Sequence, residues 1–302
     1  VLCAALALAA FSMLLVRPDA EYLSYIDFRT LAILFCLMGA MAGLQKTGVF
    51  QWIAQALLAR VRETRQLVWI LILLCFFSSM AVTNDVALIT FVPFTFTVLR
   101  LIGPEAGKRL MVPIVVLQTV AANLGSMLTP IGNPQNLYLY GRAGLSLGSF
   151  LLLMLPYTCV SFLLILFQST LQTRACNVPI QVSFHEQVQL RGKEARLAGY
   201  LALFAVDLLT VARVIPYGLA LLLTVTGLLV LDHSIFARVD YSLLLTFVGF
   251  FVFIGNMGRL PVFYEFLQKI VSGHELLAGA AASQIISNVP AALLLSGFTD
   301  NL

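Results

Sequence analysis

The sequence predicts an all-α, polytopic membrane protein built on an inverted internal repeat whose second copy is incomplete. Three observations carry this. Of the 302 residues, 60% are hydrophobic and only 11% are charged, and the mean hydropathy is +0.96. A soluble domain carries about 25% charged residues, so this chain has too little polar side chain to cover itself in water. Several apolar runs reach the roughly 20 residues that a helix needs to cross hydrocarbon. Finally, a shift of 213 residues lays 27–50 on 240–263 without a gap.

The elements follow in order. Residues 1–16 form an apolar helix stopped by Arg17-Pro18-Asp19, and 28–45 form a second, whose Gly39 and Gly43 have the spacing that permits close helix approach. Lys46 to Arg65 reads as a juxtamembrane amphipathic stretch with Trp52 as an interfacial anchor. Residues 67–99 have Arg60, Arg62 and Arg65 before them and Arg100, Lys108 and Arg109 after. Basic flanks favour the cytoplasmic side, so both ends belong there. About 33 residues give roughly 50 Å of helix, too long for one span and enough for two short limbs. The stretch is therefore a helical hairpin with Thr83-Asn84-Asp85 at its tip.

Residues 110–140 read as a helix broken at 123–136, and 149–171 span again. Residues 172–196 are a polar cytoplasmic connector carrying Arg174, Arg191, Lys193 and Arg196. Helices at 197–212 and 217–231 flank Pro216, 242–257 follow, and 276–298 hold a second hairpin tip, Ser287-Asn288-Val289-Pro290. The first repeat thus covers 1–171, and a linker helix with an incomplete second repeat covers 197–302. Twelve Lys and Arg fall in the inside loops against six outside, the bias that the positive-inside rule expects.

In the repeat, Leu31 falls on Leu244 and Gln55 on Gln268; after a shortening of nine residues, Thr83-Asn84-Asp85 falls on Ser287-Asn288-Val289. The two copies enter the membrane from opposite sides, as in transporters with inverted repeats. Identities are few, and chance similarity of apolar helices is the competing explanation. A counterpart of 123–136 belongs at about 327–340 on the same logic, beyond Leu302. The apolar start at Val1 has no basic n-region, so a signal peptide fits poorly and the chain is expected to begin inside a longer protein.

Several function classes lack support. The five cysteines show no C-x-x-C spacing, and His185, His233 and His274 are isolated, so no metal-ligand pattern is present. Nothing resembles H-E-x-x-H or G-x-S-x-G, which argues against an enzyme. There is no nucleic-acid footprint and no motif for a soluble cofactor.

What remains is polar backbone inside apolar runs: Thr83-Asn84-Asp85, then Asn123-Leu124-Gly125-Ser126 leading to Thr129-Pro130-Ile131-Gly132-Asn133-Pro134-Gln135-Asn136. The bilayer core offers no water to freed backbone groups, so such breaks line a cavity or are buried in protein. In secondary transporters they build the midplane site, and these stretches are read as the substrate and ion site of a permease working by alternating access. A plain membrane-edge turn is the alternative at 123–136. Asp85 is the one carboxylate within 66–104; intramembrane carboxylates are functional candidates, binding Na⁺ or carrying a proton. The alternative is an N-cap for the second limb. Asn84 and Asn288 offer both donors and acceptors, which suits an anion beside a cation.

These motifs resemble the citrate-transporter-like permeases of the ion-transporter superfamily, which include arsenite permeases, sodium–proton antiporters and divalent anion–sodium symporters. The resemblance covers nearly the whole chain and rests on 83–85, 123–136 and 287–290. It implies that Thr83, Asn84, Ser287 and Asn288 contact substrate, with Asn133, Pro134 and Asn136 beside them. It implies an ion site at Asn123, Gly125, Thr129, Pro130 and Gly132; with Asp85 added from the reading of the carboxylate above, Na⁺ is expected at Asn84, Asp85, Asn123, Gly125 and Thr129. Asp85 and Val289 stand where relatives with Ser-Asn-Thr tips carry threonine. The implied protein is a multi-pass one of a prokaryotic plasma (inner) membrane, forming a homodimer and needing no cofactor beyond Na⁺ or H⁺. Its implied cargo is a small anion, citrate or a dicarboxylate, or arsenite. A sodium–proton antiporter and a truncated, non-transporting membrane subunit are the alternatives.

Overall fold

The computed structural model describes residues 1–102, 104–174, 177–180, 188, 190 and 192–299, with the backbone alone at 101, 102 and 104–106. Cys176, His185 and Arg191 lie outside the described residues. The described residues fold into α-helices and form no strand beyond an isolated bridge between Glu63 and Pro179. That bridge ties the connector to the base of the hairpin, where Thr64 N–H donates to Val178 O and Ile180 N–H to Arg62 O.

In chain order the helices are α1 (Leu2–Leu15), α2 (Tyr22–Tyr25), α3 (Phe28–Thr47), α4 (Val49–Leu58), α5 (Thr64–Ala81), α6 (Asn84–Ile102), α7 (Pro104–Ser126), α8 (Pro134–Arg142) and α9 (Leu147–Thr173). Then come α10 (Glu194–Val211), α11 (Tyr217–Asp232), a 3₁₀ turn at His233–Arg238, α12 (Tyr241–Gly258), α13 (Pro261–Val271), α14 (Glu275–Ile286) and α15 (Asn288–Ser296). Among the described residues six helical segments are long and apolar enough to cross a membrane: Phe28–Thr47, Thr64–Ala81, Gly107–Ser126, Leu147–Thr173, Tyr217–Arg238 and Tyr241–Gly258.

The burial pattern of α9 is that of a helix facing lipid. Its buried residues are Phe150, Thr158, Ser161, Ile165, Ser169 and Thr173, at spacings of three, four and eight. Its large apolar residues, Leu152, Leu163, Leu164 and Phe167 among them, are exposed. Small hydroxyl residues allow helices to approach closely where burying apolar surface gains nothing over lipid tails. Thr158 Oγ1 and Thr173 Oγ1 each donate to the carbonyl four residues back, at 2.9 Å, so these two buried hydroxyls are satisfied within the helix.

The 67–99 stretch is an antiparallel hairpin with longer limbs than expected, α5 and α6. Gln118 of α7 shows the pairing: its Nε2 donates to Leu71 O at 3.1 Å and to Thr95 Oγ1 at 2.8 Å, and those two residues lie equally far from Thr83. Close to the tip, Leu74 and Cys75 share a core with Ala87 and Phe91. Far from it, Leu67 and Val68 share one with Val98 and Leu99.

The two segments matched by the 213-residue shift begin alike. Asp27 Oδ1 accepts Thr30 N–H at 3.0 Å ahead of α3, and Asp240 Oδ1 accepts Leu243 N–H at 3.0 Å ahead of α12. Each opening helix is followed by a short amphipathic helix (α4, α13) and a broken pair (α5/α6, α14/α15). Their directions are opposed. Lys46 at the end of α3 pairs with Asp232, shortly before α12, at 2.6 Å. Arg259 at the end of α12 pairs with Asp19, shortly before α3, at 2.7 Å. That guanidinium holds the exposed Asp19 carboxyl below the usual carboxylate range.

Gly39 and Gly43 serve contacts within the chain. A Cβ on Gly39 would lie 2.7 Å from Leu228 Cδ1 of α11, and one on Gly43 would enter the Tyr200 ring of α10. The small-residue stripe lets α3 sit against α10 and α11.

Candidate functional site

The hairpin tip is two residues wide, Val82 and Thr83. α5 stops at Ala81, Val82 is extended at φ −111°, ψ 148°, and α6 starts at Asn84. Thr83 sits ahead of α6: its carbonyl accepts Ala87 N–H at 3.0 Å and its Oγ1 accepts Val86 N–H at 3.5 Å. Thr83 therefore fills the capping position that was open to Asp85. Asp85 lies in the first turn of α6, at the positive end of the helix dipole.

The helix break is shorter than the sequence suggested. Asn123 and Gly125 are still helical, α7 runs to Ser126, and α8 restarts at Pro134, so the break is 127–133. The helix persists because its polar side chains fold back on it. Asn123 Nδ2 donates to Thr119 O at 2.9 Å, and Ser126 Oγ to Asn123 O at 2.9 Å. Gly125 faces α5: a Cβ there would strike the backbone carbonyl of Phe76. Pro134 opens α8, where its missing N–H costs nothing.

Tip and break are bonded together. Asn84 N–H donates to Gly132 O at 3.3 Å, Asn84 Nδ2 to Asn123 Oδ1 at 3.0 Å, and Thr129 Oγ1 to Met80 O at 2.5 Å. Within the break, Asn133 Nδ2 donates to Ser126 Oγ at 2.5 Å. Asn136 Nδ2 reaches the carbonyls of Ser126, Met127 and Thr129 at 3.3, 3.3 and 3.2 Å. The buried Pro130 and Gly132 complete the turn, with Gly132 backed so closely on Ser126 O that no Cβ fits.

A cavity of about 410 Å³ reaches this junction. Thr83, Asp85, Ile131 and Pro134 line its inner end, and Gln45, Arg238 and Asp240 line the other. Apolar side chains of α3 (Leu34, Leu37, Met38, Met41) form one wall. Gln45 Nε2 donates to Thr90 Oγ1 at 2.9 Å, pinning that wall to α6. The cavity thus runs from the tip toward the end of the molecule that holds Lys46 and Lys193.

The predicted residues divide over separate places. Thr83, Asp85 and Pro134 line the cavity, while Asn84 and the exposed Asn123 meet on another face. Ser287 and Asn288 are exposed and line neither. Asn288 borders a second pocket of about 280 Å³ with Leu139, Glu275 and Ser283. Ser287 has φ +78°, a left-handed conformation rare outside glycine. Among the described residues no three His, Cys, Asp or Glu side chains gather as a metal site.

A family model described as citrate transporter matches residues 1–301. The chain belongs to the citrate transporter family. It is similar to the inner membrane protein YbiR of Escherichia coli, 31% identical over 276 residues, which covers 90% of this chain and 72% of that protein. It is 28% identical over 281 residues to the uncharacterized transporter MJ0456 of Methanocaldococcus jannaschii, covering 93% of this chain and 75% of that protein. The silicon efflux transporter LSI3 of Oryza sativa is 33% identical over 142 residues, or 47% of this chain and 28% of that protein. Family and architecture together make this a multi-pass membrane transporter.

Two buried polar residues of this citrate transporter family member escaped the sequence reading. Asp207 of α10 is fully buried, accepts Thr224 Oγ1 at 3.3 Å through one oxygen and has no partner for the other among the described residues. Gln118 braces the hairpin limbs as described above. Each is a polar residue inside an apolar run (197–212 and 110–122), the signal that marked Asp85.

Proposed function

We propose that the chain is a secondary-active transporter of a small anion, citrate or a dicarboxylate, or arsenite, coupled to Na⁺ or H⁺ by alternating access. The observation that carries the reading is the clasp between hairpin tip and broken helix, at the head of a cavity lined by Thr83, Asp85 and Pro134. Neutral amides, hydroxyls and helix N-termini stabilise an anion there, and a cation beside Asp85 offsets its charge. The cavity opens toward the end rich in basic residues, the cytoplasmic one by the positive-inside rule, which corresponds to an inward-facing state. By its likeness to YbiR, the protein resides in a prokaryotic inner membrane.

The test is flux into proteoliposomes of labelled citrate, succinate and arsenite under an imposed Na⁺ or pH gradient. Gradient-dependent accumulation of one of these supports the proposal. No accumulation of any, from protein that is folded by thermal unfolding, overturns it.

A second reading, sodium–proton antiport, is favoured by one feature: Asp85 shares its cavity with a second carboxylate, Asp240. Na⁺ movement driven by a pH gradient with no organic or oxyanion cargo present would select it.

A further inference from the structure

We propose that Arg29 and Arg213 form an oxyanion-binding site at the outer end of the molecule, separate from the cavity at the hairpin tip. A depression of about 510 Å³ opens there between the start of α3, the end of α8 and the turn joining α10 to α11. Both arginines line it. Neither forms an ion pair among the described residues, and neither guanidinium donates a hydrogen bond to a described residue. Two cations therefore face one concavity with their donors free.

Their placement is built in. Arg213 follows the last turn of α10 at φ +64°, where glycine is the usual occupant. The left-handed conformation is unfavourable for a residue with a Cβ, so an arginine here works against the local backbone preference. The turn closes through Val214 N–H to Leu209 O at 2.9 Å. The guanidinium carbon then lies 5.4 Å from the centre of the Tyr140 ring. Tyr140 is itself fixed, fully buried with its hydroxyl donating to Val211 O at 3.0 Å. The cation–π contact with a rigid ring holds the guanidinium at the margin of the depression.

Arg29 comes in from the other wall, over Gly141: a Cβ on that glycine would lie 3.9 Å from Arg29 Nη1. The C-terminal ends of α8 and α10 both meet the depression, and their partial negative charge favours nearby cations without occupying the guanidinium edges. Thr210 and Tyr217 line the remaining walls. Paired guanidiniums bind phosphate or carboxylate through bidentate hydrogen bonds. At the end of membrane helices that chemistry has two sources, a phospholipid headgroup or a dissolved oxyanion.

The experiment uses the purified full chain as wild type, Arg29→Gln and Arg213→Gly. The glycine variant suits the left-handed turn, so it removes the cation without threatening the fold. One arm titrates phosphatidylglycerol into protein micelles and counts retained lipid by native mass spectrometry. The other measures binding of labelled inorganic phosphate by equilibrium dialysis in lipid-free micelles. The wild type should bind in at least one arm, and each variant should weaken that binding at least tenfold, while thermal unfolding of Arg213→Gly is no lower than that of the wild type. Binding in the lipid arm alone assigns a headgroup, and binding in the phosphate arm assigns a dissolved anion. Equal binding by wild type and variants in both arms, or no binding by the wild type in either, overturns the site.

Discussion

The side-chain amide of Asn84 donates to the side-chain carbonyl of Asn123 across 3.0 Å, joining the hairpin tip to the last turns of α7. Asn84 N–H meanwhile holds Gly132 O at 3.3 Å. One residue thus bridges both strands of the broken helix. Asn84→Ala keeps the backbone bond and removes the amide. A single hydrogen bond contributes about 0.5–1.5 kcal/mol, so expression and thermal unfolding should change little. Gradient-driven substrate uptake in proteoliposomes should fall at least tenfold; wild-type rates would remove Asn84 from the site.

Gly125 faces the backbone of α5, where a Cβ would collide with Phe76 O and sit 2.8 Å from Ser79 Oγ. A backbone carbonyl inside a helix cannot step aside as a side chain can. Gly125→Ala should therefore push α7 from α5 and cost about 1–3 kcal/mol, the usual range for overpacking. Thermal unfolding in detergent reads this directly, and an unchanged midpoint would mean that the helices are not in close contact there.

That glycine shows where the sequence was legible and where it was not. Gly125, with Pro130, Gly132 and Pro134, reads as a breaker cluster, and a break does lie within 123–136. Its leading edge lies later, however: Asn123 and Ser126 bond back to their own helix, while the close packing of Gly125 on α5 is a contact between segments that local propensity does not encode. The tips at 83–85 and 287–288 were readable as short polar signals inside apolar runs, whereas the caps Asp27 and Asp240 became visible only in the structure. Which tip residue faces the cavity was not. Thr83 takes the cap position and leaves Asp85 free, a choice decided by the turn geometry at Val82. Asp207 carried the same signal as Asp85, a carboxylate inside an apolar run, but the residue that fixes its place, Thr224, lies on another helix.

Asp207 is fully buried with one oxygen on Thr224 at 3.3 Å and the other without a partner among the described residues. A buried polar group lacking a partner destabilises a fold, and replacing such a group by an apolar residue of similar volume can be nearly neutral or stabilising. Asp207→Leu should thus unfold at the same temperature or higher, whereas Asp207→Ala should lose packing. A large loss of stability in the leucine variant would mean that the carboxyl has a structural partner. Loss of flux from a well-folded one would mark it as part of the transport cycle.

Asp85 and Asp240 line one cavity but are committed differently. Asp240 Oδ1 is engaged by Leu243 N–H at 3.0 Å as the cap of α12, whereas Asp85 makes no hydrogen bond to a described residue. The two substitutions should therefore separate coupling from stability. Asp240→Ala removes a cap, a change that costs about 0.5–2 kcal/mol, and should lower the unfolding midpoint while transport keeps its cation dependence. Asp85→Asn retains shape and hydrogen-bonding capacity but removes the charge that a cation or proton would meet beside the helix break. Its unfolding should be near wild type, and the dependence of flux on Na⁺ concentration or on pH should flatten or shift. Flux from Asp85→Asn with an unaltered ion and pH profile would leave Asp85 outside the coupling site and return it to a purely structural place in the first turn of α6.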